Sequence, residues 1–244
     1  FKFGNALESA DNLLTFKTVV KAVAQRNGLY ASFMPKPILD APGSGLHINI
    51  SLSQNGRNIF KSAASGEKSE TMESFIAGVL NRVGEISAFL NPIANSYERL
   101  GKFEAPKYIS WSHHNRSQLI RIPEARGEKV RMELRSPDPA VNPYLAFALI
   151  ISAGLDGIES NAKLPSPVDA DLFAADESIT KNLSKLPDTL SDAIALLESS
   201  EFAKRVMGEN LLSRYLKVKK AEAEEFSSAK DKMEFYKAKY FPIY

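Results

Sequence analysis

An α+β domain folded round an antiparallel sheet is the architecture this chain predicts, and three observations predict it. Residues 46–52 alternate strictly, with Leu46, Ile48, Ile50 and Leu52 on one parity and His47, Asn49 and Ser51 on the other. Residues 130–135 repeat the pattern, setting Val130, Met132 and Leu134 against Arg131, Glu133 and Arg135. Period-two runs of this kind are strands with one apolar and one polar face. Between them Asn55-Gly56 is a hairpin turn signal, and long stretches at helical spacing lie on either side. Strands, hairpins and helices in this mixed order suit an α+β fold rather than a doubly wound one.

Each element has its own reason. Phe1-Lys2-Phe3 reads as the end of a strand, and with no initial Met the chain looks like a piece of a longer protein. Ser9 or Asp11 can cap a helix whose apolar positions run from Leu13 to Val23, until Asn27-Gly28 stops it. Residues 29–34 read as a short strand ended by Pro35. After the Asn55-Gly56 turn, Ser69 caps a long amphipathic helix carrying Met72, Phe75, Val79, Val83, Ile86 and Phe89, broken by Asn91-Pro92. A short helix follows at 95–100, then a loop at 101–106. Three strands are expected at 108–112, 117–122 and 129–135. Asn142-Pro143 opens an apolar helix to about residue 158. Residues 161–187, rich in Pro, Asp and Ser, predict a surface excursion. From residue 190 the chain is helical, and the charge in 217–239 predicts a helix solvated on most sides. All 244 residues read as one domain.

Composition excludes several classes. A net charge of +2 without a run of Lys and Arg argues against an electrostatic nucleic-acid binder. With no cysteine there are no disulfides or thiolate metal sites, which fits a reducing compartment such as the cytoplasm. The most apolar stretch, residues 144–154, is far shorter than the roughly 20 residues of a membrane-spanning helix. No P-loop, kinase signature or serine-nucleophile elbow is present.

The polar strand faces carry the chemistry. One imidazole, one carboxylate and two guanidiniums stand on faces that can meet. A lone His is more often structural than a ligand, and Glu133 between two arginines also fits a solvated, ion-paired strand. Asn49 and Ser51 beside His47, with Gly43 and Gly45 upstream, shift the balance toward a site that a ligand approaches closely. Arg116, Arg121, Arg131 and Arg135, with Arg99 before them, offer planar forks matched to phosphate and carboxylate oxygens. Such a cluster repels itself unless an anion sits among it. A His with carboxylates suits Mg²⁺ or Mn²⁺ better than structural zinc, though two ligands do not complete a site. His113-His114 reads as structural, and Glu104 as a loop acid.

The same residues carry a family resemblance. Phe33-Met34-Pro35-Lys36-Pro37, Gly43-Ser44-Gly45-Leu46-His47, Asn91 to Leu100, Glu104-Ala105-Pro106, Asn115-Arg116-Ser117 with Arg121-Ile122-Pro123, and Glu133 to Pro139 with Asn142-Pro143-Tyr144 occur in the order found in glutamine synthetases. The chain resembles the C-terminal part of the catalytic domain of the bacterial class I type. The small N-terminal β domain and the first catalytic strands, with most of the family's metal-binding glutamates, have no counterpart in it. The resemblance implies a sheet domain of the glutamine synthetase and guanido kinase type with a helical C-terminal region. It implies ATP-dependent ligation of ammonia to glutamate through γ-glutamyl phosphate, with Mg²⁺ or Mn²⁺, in a cytoplasmic homo-oligomer, a ring dodecamer at full length. It makes His47 and Glu133 metal ligands, and Gly43, Arg99, Glu104, Arg116 and Arg135 glutamate contacts. Asn49, Ser51, Arg116, Arg121 and Arg131 fall on the ATP side. Glu104 and Arg116 would be catalytic, Glu104 as the flap acid over the acyl phosphate. Phe173 stands where adenylylated members carry a Tyr, so that control is not expected. On this resemblance the 244 residues alone are expected to be inactive. The rival expectations are a γ-glutamyl ligase using another amine and a non-catalytic member.

Overall fold

The computed structural model describes residues 1–61 and 69–244. Helix α1 (Ala6–Arg26) starts earlier than Ser9 or Asp11 would have it. Asn5 is the cap, its side chain accepting the Glu8 N–H at 2.9 Å, and Ala6, Leu7 and Glu8 extend the helix from there. Phe1 to Phe3 form no strand; instead the Phe1 ring packs edge-to-face on Phe16, 5.0 Å between centroids. Residues 29–34 also form no strand. Their contacts go to the far end of the chain, with the Phe33 N–H donating to the Tyr244 carbonyl at 2.7 Å and Tyr30 stacking on Phe241.

Strand β1 (Ile48–Ile50) is the centre of the alternating run. The hairpin forms as the sequence requires, β2 (Ser53–Gln54) pairing with β3 (Arg57–Asn58). Asn55 and Gly56 sit at φ 51 and 73, the paired positive values of a type I′ turn. Ser69 caps α2 (Glu70–Arg82), accepting the Met72 N–H at 3.1 Å. The expected long helix breaks after Arg82 and resumes as α3 (Ser87–Leu90), because Gly84 weakens that turn and Ser87 Oγ takes the Val83 carbonyl at 2.9 Å. Next come α4 (Ala94–Tyr97), β4 (Trp111–Ser112), β5 (Ile120–Arg121), a 3₁₀ turn (Gly127–Lys129) and β6 (Met132–Leu134).

The sheet order is β1-β6-β5-β4. β6 runs antiparallel to both β1 and β5, but β4 and β5 are parallel, so the sheet is mixed rather than antiparallel throughout. The reason is local. Residues 113–119 fold back on themselves, the Asn115 N–H donating to Ser112 Oγ and the Ser117 N–H to Asn115 Oδ1 at 2.8 Å. Gln118 anchors the turn to the carbonyls of Ala170 and Val168. The chain therefore re-enters beside β4 in the same direction.

Asn142 caps α5 (Pro143–Glu159), as Asn-Pro predicts. Helix α5 packs on α2 with backbone-level intimacy. A Cβ on Gly78 would run into the Ala153 carbonyl and stand 2.8 Å from the Gly157 nitrogen, so both positions need glycine. The excursion holds only α6 (Glu177–Thr180). It is followed by α7 (Leu190–Glu198), α8 (Glu201–Met207), α9 (Glu209–Ser228) and α10 (Lys232–Lys239). The charged 217–239 stretch is thus two helices, and one stripe of it is not solvated: Lys219, Ala223 and Tyr236 are buried, and Phe226 stacks on Tyr236 at 5.5 Å. Among the described residues no helix is long and apolar enough to cross a membrane.

The apolar parity of the sheet (Ile48, Ile120, Met132 and Leu134) joins the α2, α5 and α7 side chains in one core. Burial of these positions fixes the register, since a one-residue slip would turn the polar parity inward. The opposite sheet face is left to the charged residues.

Candidate active site

The β1–β6–β5 pairing brings the predicted charges together. Asn49 lies opposite Glu133 on one side, and Arg121 lies opposite Glu133 on the other. Glu133 is 4% exposed and is the hub. Its Oε1 receives His47 Nδ1 at 2.9 Å and Arg135 Nη1 at 3.1 Å, while Oε2 is ion-paired with Arg121 Nη2. Burial alone would raise the Glu133 pKa. The His47 hydrogen bond and the Arg121 and Arg135 charges outweigh it and hold the carboxyl at about 2.

Arg135 is still more enclosed, at 2% exposed. Its Nε donates to the Arg116 carbonyl at 3.0 Å, and its Nη1 lies 3.4 Å from His47 Nδ1. Burial lowers its pKa, countered by Glu133 and, from the loop, by Glu104. Arg131 Nε donates to Asn49 Oδ1 at 2.9 Å, and Ser51 follows on the same parity just beyond β1. A cavity of about 510 Å³ lies over His47, Asn49, Ser51 and Arg131, with Lys2 and Ser9 also on its lining.

Two predicted residues take unexpected places. Arg116 is exposed and joins the cluster through its main-chain carbonyl. Arg99 is 4% exposed, its guanidinium donating to the main-chain carbonyls of Ser136 at 2.8 Å and Arg135 at 3.2 Å. The glycines explain that packing. A Cβ on Gly45 would run into Arg99 Nη2 and stand 3.3 Å from His47 Nε2, and one on Gly43 would meet the Pro35 carbonyl. What these glycines admit is the protein's own arginine and backbone, which the sequence alone did not distinguish from a ligand.

Sequence reasoning passed over two buried groups. Asp138 is fully buried and accepts from Asn91 Nδ2 and the Ala140 N–H, each at 2.9 Å. Burial raises its pKa, opposed mainly by Arg99. Lys36 is 1% exposed. The signal for both lay in motifs already marked, where a charged residue sits between prolines.

Glu133 and His47 fit a hard divalent cation in kind: an ionised carboxylate and an imidazole nitrogen in contact. No group of three His, Cys, Asp or Glu side chains placed for a metal occurs among the described residues. The depressed Glu133 pKa carries a prediction. A carboxyl whose folded pKa lies below its ordinary 4.5 stabilises the fold fully above that value and loses the effect as pH falls toward about 2. Urea unfolding in the presence of a chelator should show wild type losing on the order of 3 kcal/mol across that window relative to Glu133→Gln. Parallel pH profiles for the two proteins would refute the assignment.

Comparison with known proteins gives the family. The family model for the glutamine synthetase catalytic domain matches residues 1–238. A glutamine synthetase of Clostridium saccharobutylicum is 45% identical over 230 residues, 93% of this chain and 52% of that protein. One of Pyrococcus abyssi is 43% identical over 247 residues, 99% of this chain and 54% of that protein. A solved GmaS/ADP complex superposes with a TM-score of 0.87 at 35% identity, covering 98% of this chain and 56% of the other. The chain thus spans about half the length of the relatives it matches. With the fold, the motif order and the family model in agreement, the chain belongs to the glutamine synthetase catalytic-domain family.

Proposed function

We propose that this chain serves an ATP-dependent glutamate–ammonia ligase, which forms glutamine, ADP and phosphate. The observation that carries this reading is the buried Glu133 carboxylate held by His47, Arg121 and Arg135, with His47 also lining an open cavity that Asn49, Ser51 and Arg131 share with apolar side chains. A γ-carboxylate oxygen of glutamate attacks the terminal phosphorus of ATP, and the bond to ADP breaks. Ammonia then attacks the acyl carbon of γ-glutamyl phosphate, and phosphate leaves. Arg121 and Arg131, with Asn49 and Ser51, face the nucleotide. Arg116 and Arg135 neutralise the charge that spreads over the moving phosphoryl group. Gly43 and Arg99 shape the glutamate side, and Glu104 takes the proton that the incoming ammonium gives up. His47 and Glu133 would hold Mg²⁺ or Mn²⁺, which would offset phosphate charge.

Two donors leave the rest of such an ion's coordination to water, the ATP phosphates and further residues, and we infer that these 244 residues form one catalytic domain, the C-terminal part of a longer one. A homo-oligomer, a ring dodecamer in the family's manner, and a cytoplasmic setting belong to the same reading. A non-catalytic member would keep the arginine–carboxylate–imidazole cluster for the sheet alone, so its arginine-to-lysine variants would change stability and no turnover. The remaining rival is a γ-glutamyl ligase for another amine, since only Glu104 of the groups described bears on the amine. The test is phosphate release by the natural full-length protein with ATP, glutamate and Mg²⁺. Dependence on ammonium supports glutamine synthesis, dependence on methylamine alone supports the rival, and release with neither refutes both.

A further inference from the structure

Lys36 lies between Pro35 and Pro37 with 1% of its surface exposed, a burial that lysine tolerates only with partners. Its ammonium has two. It donates to the Ala41 main-chain carbonyl, and it lies 4.2 Å from the centroid of the Phe103 ring. Its own backbone is pinned twice by Asn95, whose Oδ1 accepts the Lys36 N–H at 2.8 Å and whose Nδ2 donates to the Lys36 carbonyl at 2.9 Å. The Cδ lies 3.3 Å from where a Cβ on Gly43 would stand. One buried cation therefore touches both the glycine-bearing loop at 41–45 and the loop at 101–105.

Phe103 is itself unusual. Its φ of 53 is in the left-handed region, unfavourable for a bulky aromatic, and its side chain is 49% exposed. Apolar burial does not explain a strained conformation that leaves half the ring in solvent. Phe103 sits in the turn closed by the Ala105 N–H to the Lys102 carbonyl at 3.1 Å, and that turn lays its ring face over the ammonium. Glu104 is the next residue.

We propose that Lys36 is a positioning residue for Glu104. Its ammonium, anchored on the Ala41 carbonyl, draws the Phe103 ring down and so sets where the loop holds Glu104 relative to Arg135. The inference rests on the role given to Glu104 above. It requires neither contact between Lys36 and substrate nor loss of the lysine's proton.

The experiment uses the natural full-length protein and the variants Lys36→Met, Phe103→Leu, Phe103→Tyr and the double Lys36→Met with Phe103→Leu. Two readouts are taken: amide hydrogen exchange of residues 101–105, and kcat and KM for ammonium and for ATP. Lys36→Met and Phe103→Leu should each speed loop exchange roughly tenfold and lower kcat/KM for ammonium by a similar factor, with KM for ATP unchanged. Phe103→Tyr, which keeps the ring face, should behave as wild type. The double variant should be no worse than the worse single, because both remove one contact. Phe103 is half in solvent, so its variants report even where Lys36→Met does not fold. Unchanged exchange in Phe103→Leu, or additive losses in the double variant, would overturn the proposal. Faster exchange in these variants, with no amine-dependent turnover in the wild-type protein, would leave the clamp standing and remove the ligase reading instead.

Discussion

Replacing Arg121 or Arg135 by Lys is expected to lower kcat by about 10²–10³, the scale for losing one preorganised donor to developing charge. Charge is kept in both variants, so the loss isolates the fork. Arg135 divides its guanidinium between the Glu133 carboxylate and the Arg116 carbonyl, and an ammonium cannot span both. Arg121 stands across β5 and β6 from Glu133, at a distance set by the strand register. These two are partly structural, and a Lys at 135 should also cost about 1–2 kcal/mol of stability. Arg116→Lys supplies the control: Arg116 is exposed, so its melting temperature should not move while its turnover falls. Steady-state kinetics of the full-length enzyme with a melting curve for each variant decide the matter. Near-normal turnover in all three would mean that the cluster exists to stabilise the sheet.

The elements legible in the sequence were those whose signals are local. The Asn55-Gly56 turn, the Ser69 and Asn142 caps and the two alternating strands each depend on a few neighbouring residues; the turn and caps form as expected, and the strands form only at the centres of their runs, Ile48–Ile50 and Met132–Leu134 rather than 46–52 and 129–135. The site followed from the strands, because alternation alone puts His47, Asn49, Arg131, Glu133 and Arg135 on one parity. What was not legible depended on partners far along the chain. Residues 29–34 have strand-like composition but bond to Tyr244 instead of a neighbour strand. The parallel β4–β5 pair is created by side-chain anchors from Gln118 to residues about fifty positions away. The same holds at the site. Arg99 could be marked as an anion binder, but not as the guanidinium seated under Gly45.

Glu104→Ala should remove most glutamine formation, by about 10²–10⁴, while leaving nucleotide affinity near that of wild type. The argument begins with its position. Glu104 is exposed, in a loop held by the Ala105 N–H to the Lys102 carbonyl and the Gly101 N–H to the Ala105 carbonyl, each at 3.1 Å. Truncation therefore costs little stability. Its charge raises the Arg135 pKa, and the proposed function puts Arg135 at the phosphoryl group moving to glutamate, and Asn49 and Ser51 with the nucleotide. A base there has no work until the acyl phosphate exists and ammonium must lose a proton. Formation of ADP and γ-glutamyl phosphate in a single turnover without ammonium should thus survive the substitution. The defect should also shrink as pH rises, because free ammonia then reaches the acyl carbon without needing a base. Full-length Glu104→Ala, assayed for ATP affinity, single-turnover ADP formation and glutamine synthesis across pH, tests each step. An equal loss of ATP affinity would instead make Glu104 a nucleotide or structural contact, and a pH-independent defect would deny it the proton.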